Sequence, residues 1–196
     1  MYLIYPTLLD SFQRYLNDPE GEKQDIVNRI NRVSFVSEAA DKGTAFNEFV
    51  DSIRSNEQRK IIENQTGDFV NYILKKDGAN IEFNFPKQIV LWFSDYFKGS
   101  IPQVRVEANL KTQYGDVFLY GYIDELRADK IYDIKTTSRY EFPKFLHNWQ
   151  HKVYLYCLNK SGINIPDFEY VVTDFKNIFI EGYTYNQSIE ADLIRF

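Results

Sequence analysis

Two runs of β-branched and aromatic residues, 117–124 and 130–136, flank the polar segment 125–129, and this pairing constrains the chain more than any other feature. Val, Ile, Tyr and Thr at such density favour strands, and the polar stretch between them favours a hairpin. With its turn centred between Ala128 and Asp129, antiparallel pairing sets Asp124 opposite Asp133, the β-carbons roughly 5 Å apart on one face. Side chains alternate along a strand, so Lys135 shares that face while Ile123 and Ile134 turn to the other. The isoleucines can enter a core. Facing carboxylates repel unless a proton or cation lies between them, and a hard divalent ion meets that need.

Upstream, Val104, Val106, Ala108 and Leu110 alternate with Arg105, Glu107 and Asn109, the pattern of a half-buried strand. A turn centred between Tyr114 and Gly115 sets Glu107 opposite Tyr122, on the face that holds Asp124. Glu107, Asp124, Asp133 and Lys135 then converge. A slip of one residue would send Glu107 to the opposite face.

Helical patterns cover about 7–17, 23–33, 37–54, 57–76 and 88–97, with 78–84 a connector or short strand. Ser37 is the expected cap of the third, whose apolar side is Ala39, Ala40, Phe46, Phe49, Val50 and Ile53. Gly43 within it costs about 1 kcal/mol relative to Ala, which close packing would justify. After the strands, a helix is expected over 142–158, with Pro143 in its first turn and Leu146, Trp149, Val153 and Tyr156 as its apolar stripe. Gln150 and Tyr154 share one face of it. Strand patterns at 168–175 and 178–185, joined at Lys176-Asn177, precede a terminal helix. The order implies a mixed α/β or α+β fold in one domain over 1–196, mainly helical in 1–99 and carrying its α/β core in 101–185.

Cys157 is the only cysteine, which excludes an internal disulfide and four-cysteine zinc or iron–sulfur sites; a buried inert thiol is expected. The first residues carry Asp10, Gln13 and Arg14 and offer neither a signal peptide nor a membrane span, so a cytoplasmic protein with no membrane partner is expected. Net charge is −5, against general polyanion binding, but segment 100–160 carries +2 while 1–99 carries −3 and 161–196 carries −4. The positive segment is the one with the facing aspartates, where phosphate would be drawn. The 17% aromatic content is read as core rather than as stacking platforms. His147 and His151 have the i, i+4 spacing of a zinc pair, yet Asn148 stands where a metalloprotease needs Glu, so they are read as polar helix residues or phosphate contacts.

These residues resemble the PD-(D/E)XK nuclease superfamily, in its RecB-like and lambda-exonuclease-like branch, which includes CRISPR-associated RecB-type enzymes. Gly121-Tyr122-Ile123-Asp124 looks like the first acidic element, Asp133-Ile134-Lys135 like the acidic-X-lysine triplet, and Gln150-His151-Lys152-Val153-Tyr154 like the Q-x-x-x-Y helix. The direct resemblance covers about residues 101–156. More loosely, residues 5–15 are similar to the family's N-terminal helix, and Lys42-Gly43-Thr44-Ala45-Phe46-Asn47 to its glycine-containing helix. The family often has a histidine metal ligand where this chain has Asn47, and the neighbouring Glu48 would project about 100° away on a helix. The cysteines that support an iron–sulfur cluster in some relatives are absent.

The resemblance implies a restriction-endonuclease-like core: a central mixed β-sheet flanked by helices, with a helical N-terminal region. It also implies Mg²⁺- or Mn²⁺-dependent hydrolysis of DNA, as an exonuclease of phage, recombination or repair type. Asp124, Asp133 and the Ile134 carbonyl would hold the ion, with Glu107 a further ligand or an outer carboxylate. Lys135 would serve the attacking water and the developing charge, and Gln150 and Tyr154 would position the lysine, the water or the phosphate. Lys111, Arg139, Lys144 and Lys152 are candidate phosphate contacts. A catalytically inactive nuclease-fold protein that binds nucleic acid or assembles with a partner is the alternative that Asn47 keeps open. DNA is the expected partner; a homo-oligomer and a recombination or CRISPR partner protein also stay open.

Overall fold

The alternating run at 101–126 folds as a long hairpin, β5 (Ile101–Thr112) against β6 (Gly115–Leu126). The structure is a computed structural model that describes residues 2–33, 37–55 and 67–196, together with the backbone of 62–63. The β5–β6 ladder runs from Ile101↔Leu126 to Thr112↔Gly115, so its centre lies between Gln113 and Tyr114. Glu107 therefore faces Tyr120, and Arg105 takes the place opposite Tyr122 that the sequence assigned to Glu107. The tighter loop is held by Gly115 at φ +117° and by Thr112 Oγ1, which donates to Gly115 O at 2.8 Å and accepts from Tyr114 N at 3.2 Å.

On the other edge of β6 two short ladders form. β1 (Tyr2–Ile4) runs parallel to it from Tyr2↔Val117 to Ile4↔Leu119, and β7 (Lys130–Thr136) runs antiparallel at Glu125↔Tyr132 and Leu126↔Ile131. The β6–β7 register is the one expected from a turn centred between Ala128 and Asp129. Between these ladders, residues 120–124 have no strand partner on that edge among the described residues. This leaves a fork between β6 and β7. β8 (Asp167–Thr173) joins β7 in parallel and β9 (Ile178–Thr184) closes the edge antiparallel, giving a six-stranded mixed sheet.

Adjacent residues of β7 and β8 enter different cores, which places helices on both faces of the sheet. Ile131 and Val172 pack with α5 (Gln150–Lys160), α6 (Ser188–Arg195) and α1 (Pro6–Asn17), through Leu9, Val153, Leu155 and Leu193. Tyr132, Ile134 and Val171 pack with α3 (Glu38–Arg54) and α4 (Lys87–Tyr96), through Phe46, Phe49 and Phe93. The fold is thus a mixed α/β one with a central mixed sheet flanked by helices. Ile123 lies in the first core and Ile134 in the second, so they do not share a face as expected. The strands have already parted at the fork.

The N-terminal part is less helical than its sequence suggested. α2 (Lys23–Ile30) follows α1, but the expected helix over 57–76 is replaced at its C-terminal end by β3 (Phe69–Lys76), which pairs with β2 (Ile62–Glu63) and β4 (Ala79–Pro86). Residues 57–61 and 64–66 of that expectation lie outside the described residues. Asp77 and Gly78, at φ +50° and +80°, make the two-residue turn that twists with a hairpin, and Val70, Tyr72 and Leu74 alternate into the α3 core. α3 begins as expected, with Ser37 Oγ accepting Ala40 N. A β-carbon on Gly43 would lie 3.2 Å from Thr136 Oγ1, so the glycine lets α3 approach the end of β7.

The helix expected over 142–158 begins only at Gln150. Buried Glu181 on β9 accepts Lys144 N at 3.0 Å, Phe145 N at 2.8 Å and the Tyr140 hydroxyl at 2.9 Å, and these tertiary bonds hold the preceding segment out of helix. Among the described residues no helix is long and apolar enough to cross a membrane.

Candidate active site

Asp124 sits where the β6–β7 ladder stops. Its Oδ2 accepts the Ile134 backbone N–H at 2.9 Å, replacing the strand partner that N–H has lost. In a strand the N–H and C=O of one residue point to the same edge, so the Ile134 carbonyl faces the fork too. The Gln103 side chain also favours the ionised form of Asp124. The φ of +52° at Gln103 leaves this residue and Asp124 out of the ladder between the Pro102↔Glu125 and Val104↔Ile123 pairs, with the register unchanged on either side.

Asp133, 1% exposed, projects to the α5 side, where Gln150 reads two opposite charges with the two ends of one amide. Gln150 Nε2 donates to Asp133 Oδ1, and Gln150 Oε1 accepts from Lys135 Nζ at 2.8 Å. Lys135 Nζ is itself 2.7 Å from Asp133 Oδ2. Tyr154, one helical turn on, bonds Gln150 Nε2 at 3.2 Å and donates to Tyr122 O at 2.7 Å, fixing α5 against β6. The structure thus brings together Asp124, Asp133, Ile134, Lys135, Gln150 and Tyr154, all expected from the sequence.

Burial, and after it the charge of Asp133, push Asp124 up to about 7, against Lys135 and the Ile134 N–H, which favour its ionised form. Burial also raises Asp133, against the opposing pull of Lys135 and Gln150. Burial by itself would lower Lys135, but Asp133 and Asp124 more than offset it and its pKa is raised. The lysine is therefore an ammonium at neutral pH, suited to stabilising negative charge rather than to removing a proton. Burial, then Asp133, raise the Tyr154 phenol, which stays a hydrogen-bond donor.

Two carboxylates and one ammonium leave the fork short of positive charge. Asn47 of α3 reaches it with Nδ2 3.4 Å from Asp124 Oδ2, while its buried Oδ1 has no hydrogen-bond partner among the described residues. A buried amide oxygen without a donor, beside two raised carboxylates and a carbonyl, fits a hard divalent cation. Among the described residues no three His, Cys, Asp or Glu side chains gather in one metal-binding cluster. The fitting donor set is therefore Asp124, Asp133, the Asn47 amide and the Ile134 carbonyl. Glu48, beside Asn47, is turned away and accepts the Tyr72 hydroxyl at 2.7 Å.

Glu107 is not part of the site. It is exposed, 2.7 Å from Arg105, and four residues along β5 from Gln103, about 13 Å of strand. The candidate phosphate contacts are dispersed. Lys111 lies near the far end of the β5–β6 hairpin, opposite Asp116. Arg139 is exposed after β7 and pairs with Glu141 at 3.3 Å; Lys144 Nζ is bound to Thr137 Oγ1 at 2.7 Å and to Arg139 O at 2.5 Å. Lys152 lies over the Trp149 ring and 3.6 Å from Asp192 of α6. The histidines form no zinc pair: His147 precedes α5, and buried His151 is stacked on Tyr183, bonded to Tyr170 and held near pKa 4 by burial and Lys152. Cys157 is buried as expected, its thiol pushed up to about 12 by burial.

Asp10 is the neighbour that the sequence did not single out. From α1 its carboxylate accepts the Trp149 N–H at 2.8 Å, at the start of α5 and one residue before Gln150. Burial raises its pKa, and both Lys135 and Asp133 are close enough to act on it. An acid inside a mostly apolar amphipathic helix was the available signal.

No family model matches the chain, and no curated protein matches it. A solved structure, the crystal structure of SSO0001, is similar over 100% of this chain and 72% of its own, with a TM-score of 0.52 at 13% identity. That likeness supports the fold: a mixed α/β arrangement with a central mixed sheet flanked by helices.

Proposed function

We propose that this chain is a Mg²⁺- or Mn²⁺-dependent deoxyribonuclease. The single observation that carries the reading is the Gln150 amide, which binds the Asp133 carboxylate at one end and the Lys135 ammonium at the other, beside Asp124. A solvated ion pair needs no such clamp; a reacting phosphate needs charges held in fixed positions before it arrives. The resemblance of Asp124, Asp133-Ile134-Lys135 and Gln150-x-x-x-Tyr154 to the PD-(D/E)XK nucleases supports the same reading. The resemblance to the lambda-exonuclease-like branch favours attack from DNA ends.

Asp124, Asp133, Asn47 and the Ile134 carbonyl would hold the ion. When bound, it supplies a polarised water and positive charge against the phosphodiester. Lys135 places its ammonium beside the phosphate and stabilises the negative charge that builds as the bond breaks. Gln150 keeps that ammonium on Asp133, and Tyr154, donating to Tyr122 O, keeps Gln150 in place. Asp10 holds the first turn of the helix that carries them.

The test is digestion of linear and closed circular DNA in Mg²⁺, Mn²⁺ or EDTA, by the purified chain and by Lys135→Ala. Linear DNA should be degraded with either metal and spared in EDTA. Lys135→Ala should lose about 10²- to 10⁴-fold in rate, the range for a positioned group acting on charge and proton transfer. Activity that persists in Lys135→Ala, or the absence of metal-dependent cleavage in the wild type, overturns the assignment.

A further inference from the structure

We infer that the tyrosines of β6 beside the fork form a stacking platform for a single-stranded nucleic acid, with Tyr122 under the nucleotide next to the scissile phosphate. This deepens the nuclease reading and takes from it only the position of that phosphate. Leu119 and Ile123 of β6 lie in the core under α5, and a β-carbon on Gly121 would meet Tyr154 of that helix, so alternation puts Tyr120 and Tyr122 on the opposite face, just before the fork. Tyr122 is 50% exposed. Among the described residues its ring has no aromatic partner and its hydroxyl no hydrogen bond, while its backbone carbonyl is held by Tyr154. The ring is thus an open apolar surface on a fixed support. Tyr120 is half-buried and backed by Tyr5, ring centroids 5.8 Å apart. Arg105 stands opposite Tyr122 on β5, on the same face, where it is paired with Glu107 at 2.7 Å.

The spacing selects the occupant. Side chains two residues apart on a strand are about 6.6–6.8 Å apart, whereas successive nucleotides of a duplex strand step by roughly 3.4 Å. Bases lying on Tyr122 and Tyr120 are therefore pulled to twice their stacked separation, which a base-paired strand does not allow and an unpaired one does. Stacking on a tyrosine face accepts any base, so the platform confers a preference for strand state rather than for sequence.

The test uses a fluorescein-labelled oligothymidylate and a blunt duplex of the same length, bound in EDTA so that cleavage does not enter. Tyr122→Ala should weaken oligothymidylate binding about tenfold and duplex binding less than about twofold, while Tyr122→Phe, which keeps the ring, stays within about twofold of wild type for both. Irradiating the wild-type protein with a 5-iodouracil oligonucleotide should attach it to Tyr122 or Tyr120, a measurement independent of how any variant folds. Equal losses for both probes, a Phe variant as weak as the Ala variant, or attachment only elsewhere overturns the platform. So does failure to bind either probe together with Tyr122-dependent self-association, which would give the face to a protein partner. A chain that binds through Tyr122 but cuts nothing removes the nuclease reading and leaves the platform, and one that cuts with no Tyr122 effect does the reverse.

Discussion

Asp124→Asn is expected to lower metal-dependent DNA cleavage by about a thousandfold or more, well beyond the roughly 10- to 100-fold cost of losing a group that only supports a ligand. The same change should stabilise the metal-free protein at alkaline pH. Asparagine keeps an oxygen to accept the Ile134 and Asn47 donors and loses the charge that burial and Asp133 oppose. The direction with pH follows from an acid whose folded pKa, about 7, lies above the ordinary aspartate value of 3.8. Near pH 4 and below, Asp124 is protonated whether the chain is folded or not, and the substitution changes little. As pH rises from about 4 to about 7 the unfolded chain gives up this proton while the folded wild type keeps it, so its stability falls relative to the variant and levels off above about 7. A divalent ion reverses this for the wild type alone, because the ion favours the ionised carboxylate; its affinity should drop about tenfold per pH unit below that pKa. Thermal melts at pH 5 and pH 8, with and without Mn²⁺, read all three effects. An Asn variant that is less stable at pH 8, that still responds to Mn²⁺ or that still cuts would remove Asp124 from the role.

How much of this site was legible depended on the range of the interactions that build it. The ends of β7 and its turn-centred register with β6 are local properties and legible in the sequence, but the ladder stops at Glu125↔Tyr132, so Asp124 and Asp133 meet across the fork and not as a facing strand pair. Ser37 as a cap is local as well. The β5–β6 register was misplaced by one position at its turn centre, since Gln113, Tyr114, Gly115 and Asp116 admit two turns and the Thr112 hydroxyl decides between them. That shift replaced Glu107 by Arg105 opposite Tyr122 and took Glu107 out of the site. β3 falls inside a stretch whose pattern reads as helix, yet Asp77-Gly78 and the alternation of Val70, Tyr72 and Leu74 are the local marks of a hairpin. The late start of α5 could not be read locally, because Glu181, some 36 residues on, takes the N–H of Phe145. Asp10 and the partnerless Asn47 oxygen belong to the same class: each matters through a residue far away in sequence, Trp149 and Asp124 respectively.

Gly121→Ala should cost about 1–3 kcal/mol of stability, the range for overpacking a filled core. A β-carbon there would lie 2.4 Å from Tyr154 Cε1, and Tyr154 is 4% exposed with its hydroxyl committed to Tyr122 O and Gln150. The ring cannot swing aside without giving up both bonds, so either β6 or α5 must shift. A shift of α5 carries Gln150 away from Asp133 and Lys135, and cleavage should fall roughly 10- to 100-fold, as for other supporting groups. Stability and activity separate in the double variant. In a Tyr154→Leu background the added methyl meets a shorter side chain, so the two stability changes should be non-additive by about 1 kcal/mol or more. Cleavage should stay low, since the phenol that holds Gln150 is gone. Urea denaturation of the four proteins measures the coupling, and digestion of end-labelled DNA measures the rest. Additive stabilities would mean that the close approach of Gly121 and Tyr154 does not set the position of α5. Recovered cleavage in the double variant would mean that Tyr154 acts by filling space and not by holding Gln150.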